Sequence, residues 1–127
     1  MTSKIRETGL REKITCYLPT DGDDKQSERA TIDALRAELG RLFGGWSETR
    51  AKGGWVNATG GVEFESSIRF EVSYPILPGN YSRERAIDAF KRAGRDLAQT
   101  WLHIERTAFF AEHRKVNIEA PDSYSNI

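Results

Sequence analysis

The stretch VEFESSIRFEVSY at residues 62–74 determines the fold class of this chain. Alternate positions are apolar, with Ser66 as the one exception: Val62, Phe64, Ile68, Phe70, Val72 and Tyr74. No apolar residue stands between them, where Glu63, Glu65, Arg69 and Glu71 lie instead. A period of two over this length predicts a long strand with a buried even-numbered face and a charged face that is solvated or meets a polar partner.

The residues around this strand predict an alternation of strands and helices. Upstream we expect a strand at 13–18 with Ile14, Cys16 and Leu18 on one face, a helix capped by Ser27 and ending near Phe43, and a strand at 46–57 with a bulge at 52–54. Residues 57–61 predict a hairpin turn. Downstream we expect a helix from Ser82 to about Leu102 with Trp101 in the core. A strand at 107–113 follows, with residues 116–118 either continuing it or forming a small final hairpin. The order β-α-β-β-α-β predicts a ferredoxin-like split βαβ fold of the α+β class, with two helices on one face of an antiparallel sheet.

Length and composition suit a single domain. We expect a flexible N-terminal arm at 1–12, one α+β domain at 13–120 and a flexible tail at 121–127. Lys and Arg number 19, as do Asp and Glu, so the net charge near zero argues against bulk nucleic-acid binding. The single Cys16 cannot form an intramolecular disulfide. No apolar run is long enough for a membrane span, and we see no signal peptide, so we expect a cytoplasmic protein.

The start of the second helix is the candidate ligand site. Its free backbone N–H groups suit an anion, Ser82 is the expected cap, Arg83 and Arg85 add positive charge, and Tyr81 offers a stacking face. Trp55 with Arg50 on the second strand is a candidate for stacking on a base or anchoring a partner, with Trp55 reaching the site from a neighbouring subunit. The alternatives are a capped start of an ordinary surface helix for the first group and packing over the hairpin for Trp55.

An enzymatic alternative rests on the acidic loop after the first strand. Asp21, Asp23 and Asp24 offer the hard oxygen ligands that Mg²⁺ prefers, as in a metal-dependent phosphodiesterase or nuclease. The competing interpretation is a solvated loop before a helix, where carboxylates are favoured by the helix dipole. His103 and His113 have no neighbour at metal-ligand spacing. We therefore expect no metal and no cofactor, and favour binding over catalysis.

Residues 44–118 resemble small uncharacterised α+β proteins of phages and mobile elements. The resemblance rests on the Gly53-Gly54-Trp55 turn, the Gly60-Gly61 pair, Glu63 and Glu65 on the alternating strand, and the helix and strand that follow. Small phage proteins of this kind often block host immunity, by gripping an immune effector or by sequestering a nucleotide signal. The resemblance therefore implies a counter-defence role.

We predict a non-enzymatic binding protein whose partner is a nucleotide signal molecule or a host immune protein. The exposed edge of the second strand favours a homo-oligomer, because unpaired backbone groups are otherwise left bare. A dimeric scaffold domain is the third alternative.

Overall fold

The computed structural model describes residues 6–114, which form a four-stranded antiparallel sheet with two helices on one face. The elements are β1 (Arg6–Pro19), α1 (Lys25–Phe43), β2 (Ser47–Val56), β3 (Val62–Pro75), α2 (Ser82–Asp96) and β4 (His103–Arg114). The strand order is β2-β3-β1-β4, with every neighbouring pair antiparallel. The predicted ferredoxin-like split βαβ fold is confirmed. No helix within residues 6–114 is long and apolar enough to cross a membrane.

The core lies between the sheet and the helices, and the even-numbered side chains of β1 and β3 form its floor. Phe70, Ile14 and Leu18 are fully buried there, as are Leu39 of α1 and Phe90 of α2. The predicted core face of β1 is therefore confirmed, and so is that of β3 from Ile68 to Tyr74. A buried Phe contributes about 1.5–3 kcal/mol through removal of its apolar surface from water.

The even face of β3 is not buried along its whole length. Val62 and Phe64 are 61% and 64% exposed. The reason is topological: β1 pairs with β3 only as far as Ser67, so residues 52–66 of β2 and β3 form a two-stranded ribbon beyond the sheet. We call residues 52–66 the hairpin arm.

Two predictions about the extent and regularity of the strands are wrong. Residues 6–12 belong to β1 and pair with β4, so they are not a flexible arm. The register of β2 with β3 runs unbroken through Lys52, Gly53 and Gly54, so there is no bulge. The glycine at 54 instead gives space to an aromatic ring, because a Cβ there would lie 3.2 Å from the Phe64 side chain. The predicted strand at 116–118 and the tail at 121–127 lie outside the described residues.

Helix α1 needs correction at its start and helix α2 at both ends. Asp24, not Ser27, is the N-cap of α1, and its Oδ1 accepts the Ser27 backbone N–H at 3.0 Å. Tyr81, not Ser82, is the N-cap of α2, and its side chain makes no capping hydrogen bond. Helix α2 ends at Asp96 instead of Leu102, because Ala98 adopts a left-handed φ of 57° that terminates the helix. The chain then turns, so Trp101 is 75% exposed and the prediction that it lies in the core is wrong.

Candidate functional site

The predicted ligand residues at the start of α2 are engaged with the protein itself. Asn80 Oδ1 accepts both the backbone N–H of Ser82, at 2.9 Å, and the Ser82 hydroxyl. Arg83 donates from Nε and Nη2 to the two carboxylate oxygens of Glu12, at 2.7 and 3.0 Å. Tyr81 and Arg85 remain exposed. The most direct phosphate donors of this predicted site therefore already have protein acceptors.

Glu12 is the centre of a buried polar cluster that the sequence did not reveal. Its residue surface is 2% exposed, Tyr74 donates its hydroxyl to Oε1 at 2.6 Å, and Arg106 Nε lies 3.4 Å from Oε2. Burial by itself raises the pKa of Glu12, but hydrogen bonds from Arg83 and Tyr74 and the charges of Arg83 and Arg106 together bring the pKa below its ordinary value. Burial, and then the bond to Glu12, raise the pKa of Tyr74. The cluster is ionised and joins β1, β3, β4 and α2.

The hairpin arm carries the predicted Trp55, which is 49% exposed. Trp55 pairs with Glu63 near the tip of the arm, while Tyr81 follows the opposite end of β3. The 11 residues from Glu63 to Tyr74 cover about 36 Å of strand. Trp55 and Tyr81 therefore cannot contact one small ligand within a single chain.

The acidic loop uses two of its carboxylates for structural hydrogen bonds. Asp21 Oδ2 accepts the backbone N–H of Ser66 at 2.7 Å, at the base of the hairpin arm, and Asp24 caps α1. Asp23 is exposed. Within the part of the chain that the structure describes, no three His, Cys, Asp or Glu side chains lie close enough together to hold a metal ion.

A cleft beside α2, which we call the Trp101 cleft, has a volume of about 260 Å³. Its lining combines helix α2, the turn after it and the start of β4: Lys91, Gly94, Arg95, Gln99, Thr100, Trp101, Leu102 and Ile104. The Leu102 side chain packs on Gly94, where a Cβ would lie 2.6 Å from it. This close packing fixes the turn that presents Trp101 to solvent.

Two cations, Lys91 and Arg95, are among the described residues that line the Trp101 cleft. Lys91 and Arg95 are four residues apart on α2, a spacing that brings two like charges together on one helix face. Neither makes an ion pair with a side chain of residues 9–110, and no carboxylate is among the described residues that line the cleft. Ala98 has its left-handed φ in the same turn, a conformation that costs a non-glycine residue on the order of 1 kcal/mol. Like-charge repulsion and local backbone strain thus coincide at one place.

A second groove runs between α1 and β2 on the opposite flank of the helix layer, with a volume of about 370 Å³. Four of its lining side chains are cations: Lys25, Arg29, Arg36 and Arg50. We call it the four-cation groove. Arg50, one of the predicted ligand residues, is separated here from Trp55, because their side chains point to opposite faces of β2. The structure therefore distributes the six predicted ligand residues over three places.

Sequence comparisons identify no relative: no family model matches the chain, and no curated protein matches it. Comparison with solved structures finds the same fold. A phage SAM lyase in the apo state has 16% sequence identity and a TM-score of 0.50, with 87% of this chain and 94% of that chain covered. The periplasmic divalent cation tolerance protein CutA from Archaeoglobus fulgidus has 11% identity and a TM-score of 0.48, covering 91% and 96%. The GlnK–ATP complex of B. subtilis has 14% identity and a TM-score of 0.46, covering 92% and 98%. At these identities the likeness concerns the fold alone.

Proposed function

We propose that this chain is a non-enzymatic binding protein that captures a phosphate-bearing small molecule of the nucleotide class in the Trp101 cleft. One observation carries the proposal: Trp101, 75% exposed, lines the same cleft as the two cations Lys91 and Arg95, which make no ion pair with a side chain of residues 9–110. A nucleotide has both of the matching parts, a flat base and an anionic phosphate.

The parts of the cleft act on different parts of such a ligand. Stacking of a base on an aromatic side chain is worth about 1–3 kcal/mol. Arg95 can hold two phosphate oxygens at once, while Lys91 acts as a compact point charge. Gln99 and Thr100 add hydrogen-bonding groups at the rim. A bound anion also relieves the repulsion between Lys91 and Arg95, so part of the binding free energy comes from the protein's own strain.

The end of α2 at which the cleft lies is compatible with an anion. A helix C-terminus carries about half a negative charge, which by itself repels phosphate. Two full positive charges on Lys91 and Arg95 exceed this partial charge. The proposal therefore places the ligand at the C-terminal end of α2, whereas sequence reasoning placed it at the N-terminal end.

The composition of the cleft favours binding over catalysis. No His, Cys, Asp or Glu is among the described residues that line it. General acid–base chemistry depends on such groups being within hydrogen-bond reach of the reacting atoms. We therefore expect a nucleotide incubated with the protein to be recovered unchanged, and a product detected by chromatography would instead point to an enzyme.

Titration of nucleotides against Trp101 fluorescence tests the binding proposal. In a Trp46→Phe/Trp55→Phe background Trp101 is the one remaining tryptophan, and we expect linear or cyclic nucleotides to quench it saturably. Lys91→Gln/Arg95→Gln should weaken binding and so raise the dissociation constant at least tenfold. Arg85→Gln, an exposed cation at the other end of α2, is the matched control and should change it less than twofold. Absence of quenching by the whole panel, or quenching unaffected by the double variant, contradicts the proposal.

The biological role that we propose is counter-defence, in which the protein sequesters a nucleotide signal in the host cytoplasm. The support is the resemblance of residues 44–118 to small proteins of phages and mobile elements, joined to a cleft suited to nucleotide capture. Expression in a host with a nucleotide-activated immune system tests this role: phage plating should rise with the wild type and not with Lys91→Gln/Arg95→Gln.

A second candidate function is association through the hairpin arm, either with another copy or with a host immune protein. The observation that favours it is the exposure of Trp55, Val56, Val62 and Phe64, since an uncovered two-stranded ribbon is of marginal stability in water. We propose a second copy as the first occupant. Sedimentation should give a homo-oligomer that Phe64→Glu dissociates and Glu63→Gln does not, and a monomeric wild type would favour a foreign protein.

A further inference from the structure

We propose that the four-cation groove is a binding site for a linear polyphosphate chain. It is separate from the Trp101 cleft and does not depend on the function proposed there. The two sites lie on opposite flanks of the helix layer, one between α1 and β2 and the other between α2 and β4. No lining residue is shared between them.

The cations of the groove form a row. Lys25, Arg29 and Arg36 are separated by four and then seven residues, so they lie on one face of α1. The row covers about 16 Å along the helix axis at 1.5 Å per residue. Arg50 of β2 lies across the groove from them. An anion with several charges in line can contact this row at more than one point, whereas a compact anion reaches only part of it.

The charge balance differs along the row. Arg36 donates from Nε and Nη2 to Glu48, at 2.9 and 2.8 Å, and from Nη1 to Asp33 at 2.9 Å. These bonds hold the guanidinium as a wall of the groove, and those to Glu48 raise the pKa of Arg36. Lys25 Nζ lies 3.6 Å from Glu28, the one carboxylate among the lining residues.

Arg29 and Arg50 are the cations available to a ligand. Neither makes an ion pair with a described side chain, and both residues line the groove, with Arg50 close enough to Glu48 for its charge to lower the pKa of that carboxyl. Guanidinium groups hold phosphate oxygens in pairs, so two of them on opposite walls suit successive phosphates of one chain. The apolar floor of Ile32 and Ile68 has low polarity and strengthens charge interactions nearby.

The groove offers no aromatic side chain among its lining residues, and this sets the ligand class. A base would find no stacking partner there, so recognition falls on the phosphates. Inorganic tripolyphosphate is therefore the appropriate probe, and it leaves the Trp101 cleft without the base that the proposed function requires.

Calorimetric titration with orthophosphate, pyrophosphate and tripolyphosphate tests the proposal. We expect affinity to rise with chain length, with tripolyphosphate binding at least tenfold more tightly than orthophosphate, and to fall steeply with added salt. Arg29→Gln/Arg50→Gln should weaken tripolyphosphate binding at least tenfold. Arg85→Gln and Lys91→Gln/Arg95→Gln should leave it within twofold, and the latter pair separates this site from the Trp101 cleft, because it removes the phosphate-binding cations there.

A second variant distinguishes loss of charge from loss of fold. Arg29→Lys/Arg50→Lys keeps both charges and should retain more of the affinity than the Gln pair, while circular dichroism should be the same for both. Three outcomes overturn the proposal. Tripolyphosphate binds the wild type no more tightly than orthophosphate does, the Gln pair binds tripolyphosphate as well as the wild type does, or the wild type does not bind it at all.

Discussion

Arg83 on α2 holds the carboxylate of Glu12 on β1 with two hydrogen bonds, across 71 residues of sequence. The carboxylate also accepts the Tyr74 hydroxyl, so one buried group links the helix to two central strands. Such a carboxylate is costly to bury without partners, so loss of any one partner leaves a poorly compensated charge in the core. The attachment of the first turn of α2 to β1 and β3 thus depends on one ionised side chain.

Replacement of Glu12 tests this dependence. Glu12→Gln removes the charge while keeping the shape, and we expect the free energy of unfolding to fall by about 1.5–3 kcal/mol, the range for hydrogen bonds to charged groups. Glu84→Gln, on the exposed first turn of α2, should change it by less than about 0.5 kcal/mol. Urea denaturation measures both, and equal effects of the two variants would contradict the central place of Glu12.

The pH dependence of stability should carry the same signature. The pKa of Glu12 is lower in the folded protein than its ordinary value of 4.5, so the folded state favours the ionised form. Its contribution is present above pH 4.5 and is lost as the pH falls through the lower folded pKa. Melting temperatures of wild type and Glu12→Gln should therefore differ at neutral pH and converge in acid. A constant difference down to about pH 2 would show that Glu12 is not the titrating group.

The two halves of β3 should respond differently to loss of an aromatic ring. Phe70 is fully buried, and Phe70→Ala should cost about 3–5 kcal/mol. Phe64 has the same parity but lies on the hairpin arm, so Phe64→Ala should cost less than about 1 kcal/mol. Glu65→Ala, on the other face, serves as the control with little effect. Denaturant melts decide the matter, and a large loss at Phe64 would mean that the arm is covered.

This difference shows what parity in a sequence can predict and what it cannot. Alternation told correctly which side chains share a face of β3. It did not tell where α1 and β1 stop covering that face, because this depends on the register with β1, a segment about 50 residues away in the chain. The same limit hid Glu12, whose partners Tyr74 and Arg83 are 62 and 71 residues distant.

The cleft was missed for a local reason. The spacing of Phe90, Leu97 and Trp101 is helical and predicted that α2 continues past Asp96. The helix ends earlier because the Leu102 side chain packs onto Gly94, and this contact requires the chain to turn back after Asp96. The sequence predicted a ligand role for Arg50 only as a neighbour of Trp55 on the second strand, because its groove depends on where α1 packs.

Replacement of Ala98, the left-handed residue after α2, by glycine should raise the stability of the protein. Ala98→Gly removes the steric cost of φ 57°, about 1 kcal/mol or more, and adds back part of it through the freedom of glycine in the unfolded chain. We expect a net stabilisation of about 0.5 kcal/mol. Ala34→Gly, in the exposed interior of α1, should destabilise by about 1 kcal/mol. A melting temperature that rises with Ala98→Gly and falls with Ala34→Gly confirms the left-handed conformation of Ala98. A fall with both variants contradicts it.

The acidic loop gives a test that separates structure from metal chemistry. Asp24→Ala removes the cap of α1 and should cost about 1 kcal/mol, within the 0.5–2 kcal/mol range for such caps. Asp23→Ala should cost almost nothing, because Asp23 is exposed and makes no hydrogen bond or ion pair within the described chain. A metal site would require both carboxylates, since Mg²⁺ binds through several hard oxygens at once. Melting temperatures measured with and without Mg²⁺ should therefore be equal for the wild type and for each variant. A rise with Mg²⁺ in the wild type that both variants abolish would replace the capping role with a metal site and restore the enzymatic alternative.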